Sequence, residues 1–203
     1  MKTAGPCYRV KIATEEWEFD QIHRLNHQTF AEEIPQHPAT ASGLLVDRFH
    51  GDNTYIVALD ERRLAGMLAL RGRRPFSLDQ RLPDLDSYLP AGRSIVELRL
   101  LAVEKGDRSG RLLPALLEYA WRYCVAQGFD LAVISGITHQ LRLYRHLGFV
   151  PFGPLVGTPE AQFQPMMLTL ERFVPRAASL FRGARPPARR ADGVEPDPSR
   201  FDA

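Results

Sequence analysis

Cysteine, lysine and long apolar runs are all scarce in this sequence of 203 residues. Its two cysteines, Cys7 and Cys124, are too few for a disulfide framework or a four-ligand zinc site. No apolar run approaches the ~18–20 residues of a membrane-spanning helix, and the amino terminus lacks an apolar core of signal-peptide length. The sequence therefore predicts a soluble, cytoplasmic protein without a transmembrane segment.

An excess of charge of one sign is also missing. Lysine and arginine total 26 and aspartate and glutamate total 24, so the formal net charge is +2. Residues 175–203 hold that excess, and the rest of the chain is balanced. Because nucleic-acid binding needs a clustered basic face, a neutral body argues against nucleic acid as a partner. With 44% hydrophobic residues, the chain has enough apolar material for one core.

Hydrophobic periodicity predicts one domain over residues 8–173 and a disordered, Pro- and Arg-rich tail over 174–203. The domain alternates strands and helices, with an irregular segment between two of its strands, so the predicted fold class is α/β (α+β), a mixed sheet covered by helices. Thr14 is the expected N-cap of the first helix. The predicted strands are 8–12, 54–59, 64–70, 94–103, 131–134, 149–152 and 164–171, the helices are 15–30, 43–50, 112–127 and 138–147, and the irregular segment is 71–93.

Two stretches carry a resemblance to a known family. Residues 97–117, ELRLLAVEKGDRSGRLLPALL, predict a strand, a loop and a helix, and residues 141–153, LRLYRHLGFVPFG, predict a helix with a tyrosine followed by Gly-Phe at a strand. With the element order, they resemble the GNAT superfamily of acyl-CoA-dependent N-acyltransferases over 8–173. The opening IHRLNHQTFAEEIPQHPA at 22–39 resembles, more narrowly, acyl-homoserine-lactone synthases and long-chain N-acyl amino acid synthases. Its alternative interpretation is an amphipathic helix that packs on the sheet.

The resemblance implies an enzyme that transfers an acyl group, long chains included, from an acyl thioester to a small amine such as an amino acid. The donor would be acyl-CoA or acyl carrier protein, with no permanently bound cofactor. The sheet would be mostly antiparallel, with central strands that part between 97–103 and 131–135. Two alternatives stay open: an acetyl-CoA-dependent N-acetyltransferase acting on a small metabolite, and a non-catalytic domain that binds an acyl thioester. The oligomeric state is open too, a homodimer included.

Two side chains are expected to catalyse the reaction. Glu97, on the strand that lies beside the thioester in the fold this resembles, would remove the amine proton. The alternative is an ion pair with Arg99, which shares its strand face. Tyr144 matches the tyrosine that protonates the leaving thiolate in many relatives, and its alternative is packing under the sheet. Both side chains are expected to flank the position of the thioester sulfur.

Substrate binding is assigned to residues in three places. Arg99 would hold the carboxylate of an amino acid acceptor by a bidentate contact. Phe30 and Glu33 belong to the resemblance at 22–39, and Ser135 is a small residue that leaves room for an acyl chain.

The donor is expected at the start of a helix, where free amides and the helix dipole favour phosphate. The sequence departs from the superfamily pattern there, because Arg111 and Leu113 replace the usual small residues and Pro114 removes an amide or delays the helix. Arginine side chains would replace some amide contacts. A polar loop without ligand is the alternative. The expected donor-binding residues are Leu101, Val103, Arg108, Ser109, Gly110, Arg111, Leu112 and Leu113.

Two of the six histidines have a spacing that could present metal ligands. His23 and His27 are four residues apart on a predicted helix, but the glutamate of a zinc-protease motif is missing between them. We interpret both as surface or acceptor-site residues and expect no metal.

Overall fold

The computed structural model describes residues 8–108, 110, 112–158 and 161–180, with the backbone alone for 176–180. Two compact units divide these residues. The first comprises 8–69 and 100–120, and the second comprises 70–99 and 121–180. Among the described residues, no helix is both long and apolar enough to cross a membrane.

Eight strands follow the order β1-β2-β3-β4-β5-β8-β6, and β7 pairs with β8. Among the pairings whose register is defined, β4–β5 is parallel and the others are antiparallel. The predicted fold class, a mixed and mostly antiparallel sheet with helices, is confirmed. The strands are β1 Arg9–Ile12, β2 Thr54–Asp60, β3 Arg63–Arg71, β4 Ile95–Val103, β5 Leu131–Ile137, β6 Val150–Pro151, β7 Val156–Thr158 and β8 Ala161–Thr169.

In the first unit, helix α1 (Glu16–His27) packs Ile22 and Leu25 into a core with β2 and β3. Its N-cap is Glu15 and not the predicted Thr14, because Glu15 forms a capping box with Glu18. The helix does not end in the α form. It continues as a π-helical turn over Gln28–Glu33, so the helical region changes geometry and runs three residues past its expected end at Phe30.

The helix predicted at 43–50 is absent, and only a 3-10 turn at His50–Asp52 forms there. We call residues 40–50 the strap. Its backbone forms two turn hydrogen bonds of its own, from Gly43 to Thr40 and from His50 to Asp47, and is otherwise bonded to α1: the N–H of Leu45 donates to the carbonyl of His23 at 3.0 Å, and the N–H of Thr40 donates to Nε2 of His27 at 2.9 Å. These tertiary partners replace the ones a helix would supply.

In the second unit, segment 72–93 is irregular as predicted, with short 3-10 turns at Leu78–Gln80 and Leu85–Tyr88. Its apolar side chains form one buried core with β5 and β8. β5 runs three residues beyond its predicted end because β8 pairs with it as far as Ile137↔Phe163.

The remaining helices are α2 (Leu112–Ala126), α3 (Leu141–Leu147) and α4 (Leu170–Leu180). Residues 174–180, which the sequence analysis placed in the tail, therefore continue α4. The ring of Phe173 packs edge-on against Trp121 at 5.8 Å, which fixes the start of this helix. The rest of the predicted tail lies outside the described residues.

Candidate active site

Pairing between β4 and β5 stops in the middle of both strands. The register runs from Ile95↔Leu131 to Glu97↔Val133. β4 nevertheless continues through Arg99, and β5 continues through Ser135. The two strands therefore lose their hydrogen-bonded contact at Glu97, where the sequence analysis expected the sheet to part.

Glu97 is fully buried, and hydrogen-bond donors occupy both of its carboxylate oxygens. The backbone N–H of Ser77 donates to Oε2 at 2.8 Å, the Ser77 hydroxyl donates to Oε1 at 2.5 Å, and the N–H of Leu78 donates to Oε1 at 3.2 Å. Nε of Arg99 lies 3.6 Å from Oε2. The ion pair that the sequence analysis weighed against a base role is thus present, and the carboxylate ties segment 72–93 to β4.

Tyr144 stands on α3 against Gly136 of β5. A Cβ atom added to Gly136 would lie 2.9 Å from two carbons of the Tyr144 ring and 3.3 Å from Sδ of Met166, so only glycine leaves room for this ring. Gly136 is on the face of β5 opposite to Val133, the register partner of Glu97. Tyr144 and Glu97 therefore lie on opposite faces of the sheet, and the expectation that both flank the position of the thioester sulfur is wrong.

The Tyr144 phenol is well suited to stay protonated. Burial raises its pKa above the ordinary value of 10, and a backbone hydrogen bond at Ile137 only partly opposes this effect. At neutral pH the group therefore carries its proton and can donate it.

Ser135 offers a hydroxyl in apolar surroundings. It lies on the same face of β5 as Val133 and Ile137, which belong to or pack against the core of the second unit. Its Oγ is buried and has no hydrogen-bond partner among the described residues. The substrate-binding role predicted for Ser135 as a small residue stays a prediction.

Two residues assigned to different substrates bind each other in the first unit. An Arg108 guanidinium nitrogen lies 2.7 Å from Oε2 of Glu33, and Nζ of Lys105 lies 3.6 Å from the other carboxylate oxygen. Nε of Arg108 also donates to the carbonyl of Val103 at 3.0 Å. Phe30, three residues before Glu33, packs against the apolar core of this unit, as the amphipathic-helix interpretation required.

The predicted donor loop is anchored by Asp107, to which the sequence alone assigned no role. Asp107 is buried and accepts hydrogen bonds from the Tyr8 hydroxyl at 2.7 Å and from Arg63 at 2.6 Å. The Arg63 guanidinium lowers the pKa of this carboxyl. The sequence offered no signal for this anchor, because its partners are 99 and 44 residues away.

Beyond that anchor, Gly110 adopts a left-handed φ of 74°, and α2 begins at Leu112. Leu112 is buried beside Gly66, which places it in the core and not at a ligand surface. Leu101, Val103 and Leu113 are half-buried. Pro114 falls in the first helical turn, so the helix starts without delay. Ser109 and Arg111 lie outside the described residues.

The histidine pair is buried and not at the surface, with exposed fractions of 8% for His23 and 4% for His27. His27 is fully used, because Nδ1 also lies 3.1 Å from Glu32. Within the part of the chain that the structure describes, no three His, Cys, Asp or Glu side chains come together as a metal site.

Comparison with known proteins gives one family and a set of structures. A sequence model of the family "N-acyl amino acid synthase FeeM" matches residues 21–171, about three quarters of the chain. No curated protein matches it.

Solved structures resemble this chain over most of its length. The CoA-dependent acyl-homoserine lactone synthase BjaI, solved with SAM and isopentyl-CoA, has a TM-score of 0.74 and 22% identity over 97% of this chain and 99% of its own. FeeM, from uncultured soil microbes, has a TM-score of 0.68 and 16% identity over 88% and 99%. An acyl-CoA N-acyltransferase from Pseudomonas aeruginosa has a TM-score of 0.56 and 15% identity over 79% and 99%. At these identities the likeness shows a common fold.

Proposed function

Because this chain belongs to the N-acyl amino acid synthase FeeM family, and is therefore an acyltransferase, we propose that it transfers an acyl group from an acyl thioester to the amino group of an amino acid. The observation that carries this proposal is the end of β4–β5 pairing at Glu97↔Val133. Backbone N–H and C=O groups that have lost their strand partner can bind the amides of an extended donor arm. The interruption thus supplies a place for a thioester beside the sheet.

The donor is an acyl-CoA or an acylated carrier protein, since both present a phosphopantetheine thioester. Arg108 is half-exposed at the loop that leads to α2, and its guanidinium can bind phosphate by two hydrogen bonds. The buried Ser135 hydroxyl is proposed to hydrogen-bond a polar atom of the donor, which its apolar neighbours cannot do. These neighbours favour a long acyl chain over acetyl.

Tyr144 is proposed to be the acid that protonates the departing thiolate. The amine nitrogen attacks the thioester carbon, the C–S bond breaks as the new C–N bond forms, and the phenol proton passes to sulfur. The proton that the nitrogen loses returns to the phenolate through solvent. Burial keeps that proton on the phenol at neutral pH.

For Glu97 the contacts favour a positioning role over the predicted role as a base. Three donors from Ser77 and Leu78 and the nearby Arg99 already occupy its carboxylate. We propose that it holds segment 72–93 and orients Arg99, and that Arg99 binds the carboxylate of the amino acid.

The test measures donor binding first and turnover second. Thermal shifts with CoA, acetyl-CoA and palmitoyl-CoA report on the donor, and release of free thiol is then measured with each amino acid in turn. We expect the largest stabilisation with palmitoyl-CoA and thiol release that depends on an amino acid. Saturation by acetyl-CoA without a gain from longer chains would support the acetyltransferase alternative, and binding without thiol release would support the non-catalytic one.

A further inference from the structure

The strap is hydrogen-bonded to α1 through residues that include both histidines of that helix. The backbone N–H of Thr40 donates to Nε2 of His27 at 2.9 Å. The N–H of Leu45 donates to the backbone carbonyl of His23 at 3.0 Å, and its carbonyl accepts from the side-chain amide of Asn26 at 3.5 Å. All these residues belong to the first unit. The attachment of the strap therefore depends on the protonation state of the histidine rings.

The bond at His27 requires a neutral imidazole. Nδ1 of this ring lies 3.1 Å from Oε1 of Glu32, so the hydrogen of the neutral ring belongs on Nδ1, and Nε2 keeps the lone pair that accepts from Thr40. A second proton can only be added at Nε2. It would set the ring N–H against the N–H of Thr40, two donors without an acceptor, at a side chain that is only 4% exposed. Protonation of His27 thus breaks this bond.

The surroundings of His23 also disfavour a charged ring. This side chain is 8% exposed, and its ring lies edge-on against the ring of His50 at the end of the strap, with centroids 4.7 Å apart. His50 packs in turn on Phe19 at 5.3 Å, and its Nδ1 lies 3.3 Å from the Tyr55 hydroxyl. Nδ1 of His23 has no hydrogen-bond partner among the described residues, whereas an imidazolium needs acceptors at both nitrogens. A charged His23 can reach water only if the strap moves away.

The charged groups around His23 do not cancel this effect. Burial and then His50 lower the pKa of His23, and Asp20 on α1 and Asp47 in the strap oppose them only in part. A lowered pKa means that the folded chain favours the neutral ring. The contribution of this ring to stability is therefore complete above the ordinary pKa of 6.5, and it is lost as the pH falls from there through the lower folded value.

We propose that the strap is a pH-sensitive latch, which neutral His23 and His27 hold on α1 and which their protonation releases. Histidine suits this role because its charge changes close to physiological pH. Helix α1 stays in place on release, since Ile22 and Leu25 are buried in the core of the first unit, so the opening is confined to residues 40–50. This switch lies within the first unit and does not depend on the proposed function.

Amide hydrogen exchange at about pH 7.5 and about pH 5 tests the latch, after correction for the intrinsic effect of pH on exchange. In the wild type, protection of the Thr40 and Leu45 amides should fall by about tenfold or more, because each pH unit below a pKa shifts the equilibrium by up to a factor of ten. Amides of β2 should keep their protection. Equal protection of the strap at both pH values, or an equal fall in β2, would overturn the proposal.

Two substitutions remove the titrating rings one at a time. His27→Gln can place an amide oxygen where Nε2 accepts from Thr40, and His23→Phe keeps a ring against His50. Each variant should show a smaller fall than the wild type, and the double variant should show none. His146→Gln, at an exposed histidine of α3, is the matched control and should respond as the wild type does.

An unchanged fall of protection in the double variant would overturn the latch, because the release would then not come from these two rings. If the strap of H27Q is already unprotected at about pH 7.5, H23F decides alone, since the bonds of His23 and His27 to the strap both remain possible in it. H23F must then show a smaller fall than H146Q, and an equal fall in the two variants counts against the proposal.

Discussion

Glu97, Asn26 and Thr29 are all buried, but they differ in the hydrogen bonds that the fold supplies to them. The Glu97 carboxylate receives three hydrogen bonds from Ser77 and Leu78. Asn26 and Thr29 each keep an unpaired atom. A satisfied buried group stabilises the fold, whereas an unsatisfied one costs stability. The comparison therefore separates a buried carboxylate that stabilises the fold from buried polar atoms that do not.

The largest expected effect comes from substituting Glu97, the residue with the hydrogen-bonded carboxylate. Glu97→Leu leaves the donors of Ser77 and Leu78 unpaired and Arg99 without its nearby carboxylate. Removing one partner from such a buried network typically costs about 3–5 kcal/mol, so we expect a loss of that size in the free energy of unfolding. Denaturant unfolding measures this loss. Asn26→Leu, which removes an unpaired atom, should show no loss of this size.

The milder Glu97→Gln variant separates the two roles of this residue. A positioning role predicts a lower free energy of unfolding and a partial loss of activity that is the same at every pH. Full stability together with loss of turnover at every pH would restore the base role that the sequence predicted.

Tyr144→Phe tests a residue whose ring is packed in the fold and whose hydroxyl is proposed to donate a proton. The ring still fits against Gly136, so we expect an unchanged Tm. Loss of a general acid typically slows the chemical step by about a hundredfold or more. Single-turnover kinetics and the donor KM measure the two effects, and a greater loss of donor binding than of rate would contradict the role as acid.

How much of this could be predicted from the sequence depends on the range of the interactions. Strands β2 and β3, the start of α2 and the Gly148 end of α3 follow from local periodicity and turn residues, and the resemblance at 22–39 pointed to the family correctly. The structure of the strap was not predicted, because two of its backbone N–H groups are hydrogen-bonded to α1 and no local pattern indicates such contacts. The split between Glu97 and Tyr144 onto opposite faces also depends on register, which no local pattern gives.

The Ser77–Glu97 contact and the Asp107 anchor show the same limit. Ser77 lies 20 residues before Glu97, in a segment that the sequence marked only as irregular. Pairings of this kind are decided when strands and loops pack, so a sequence indicates the chemical types involved and not the partners.

Asp107→Asn extends the comparison to a second satisfied carboxylate. The pKa of Asp107 is lowered from its ordinary value of 3.8, mainly by Arg63, so its charged form is more stable in the folded chain than in the unfolded one. Its contribution is complete above that ordinary pKa and is lost as the pH falls through the lower folded value. We expect D107N to cost about 2 kcal/mol at pH 7. That difference should shrink toward zero in unfolding measurements at decreasing pH, and a difference independent of pH would contradict the account.

The smallest effect is expected at the ion pair of Glu33 with Arg108. Both side chains have solvent contact, with exposed fractions of 16% and 46%, so the pair contributes little to stability. If Arg108 binds the donor phosphate, Glu33 competes with that phosphate for the same guanidinium. Glu33→Gln should then lower the donor KM by roughly two- to fivefold, in proportion to the modest strength of an exposed pair.

Glu104→Gln is the matched control, because Glu104 lies in the same loop but is not a partner of Arg108. Since phosphate attraction is screened by salt, the gain in Glu33→Gln should also fade as ionic strength rises. An equal change of the donor KM in both variants would mean that the effect comes from net charge alone. A higher donor KM in Glu33→Gln would instead show that the ion pair holds Arg108 in the orientation that phosphate requires, and Glu33 would then belong with Glu97 among the groups that build the site.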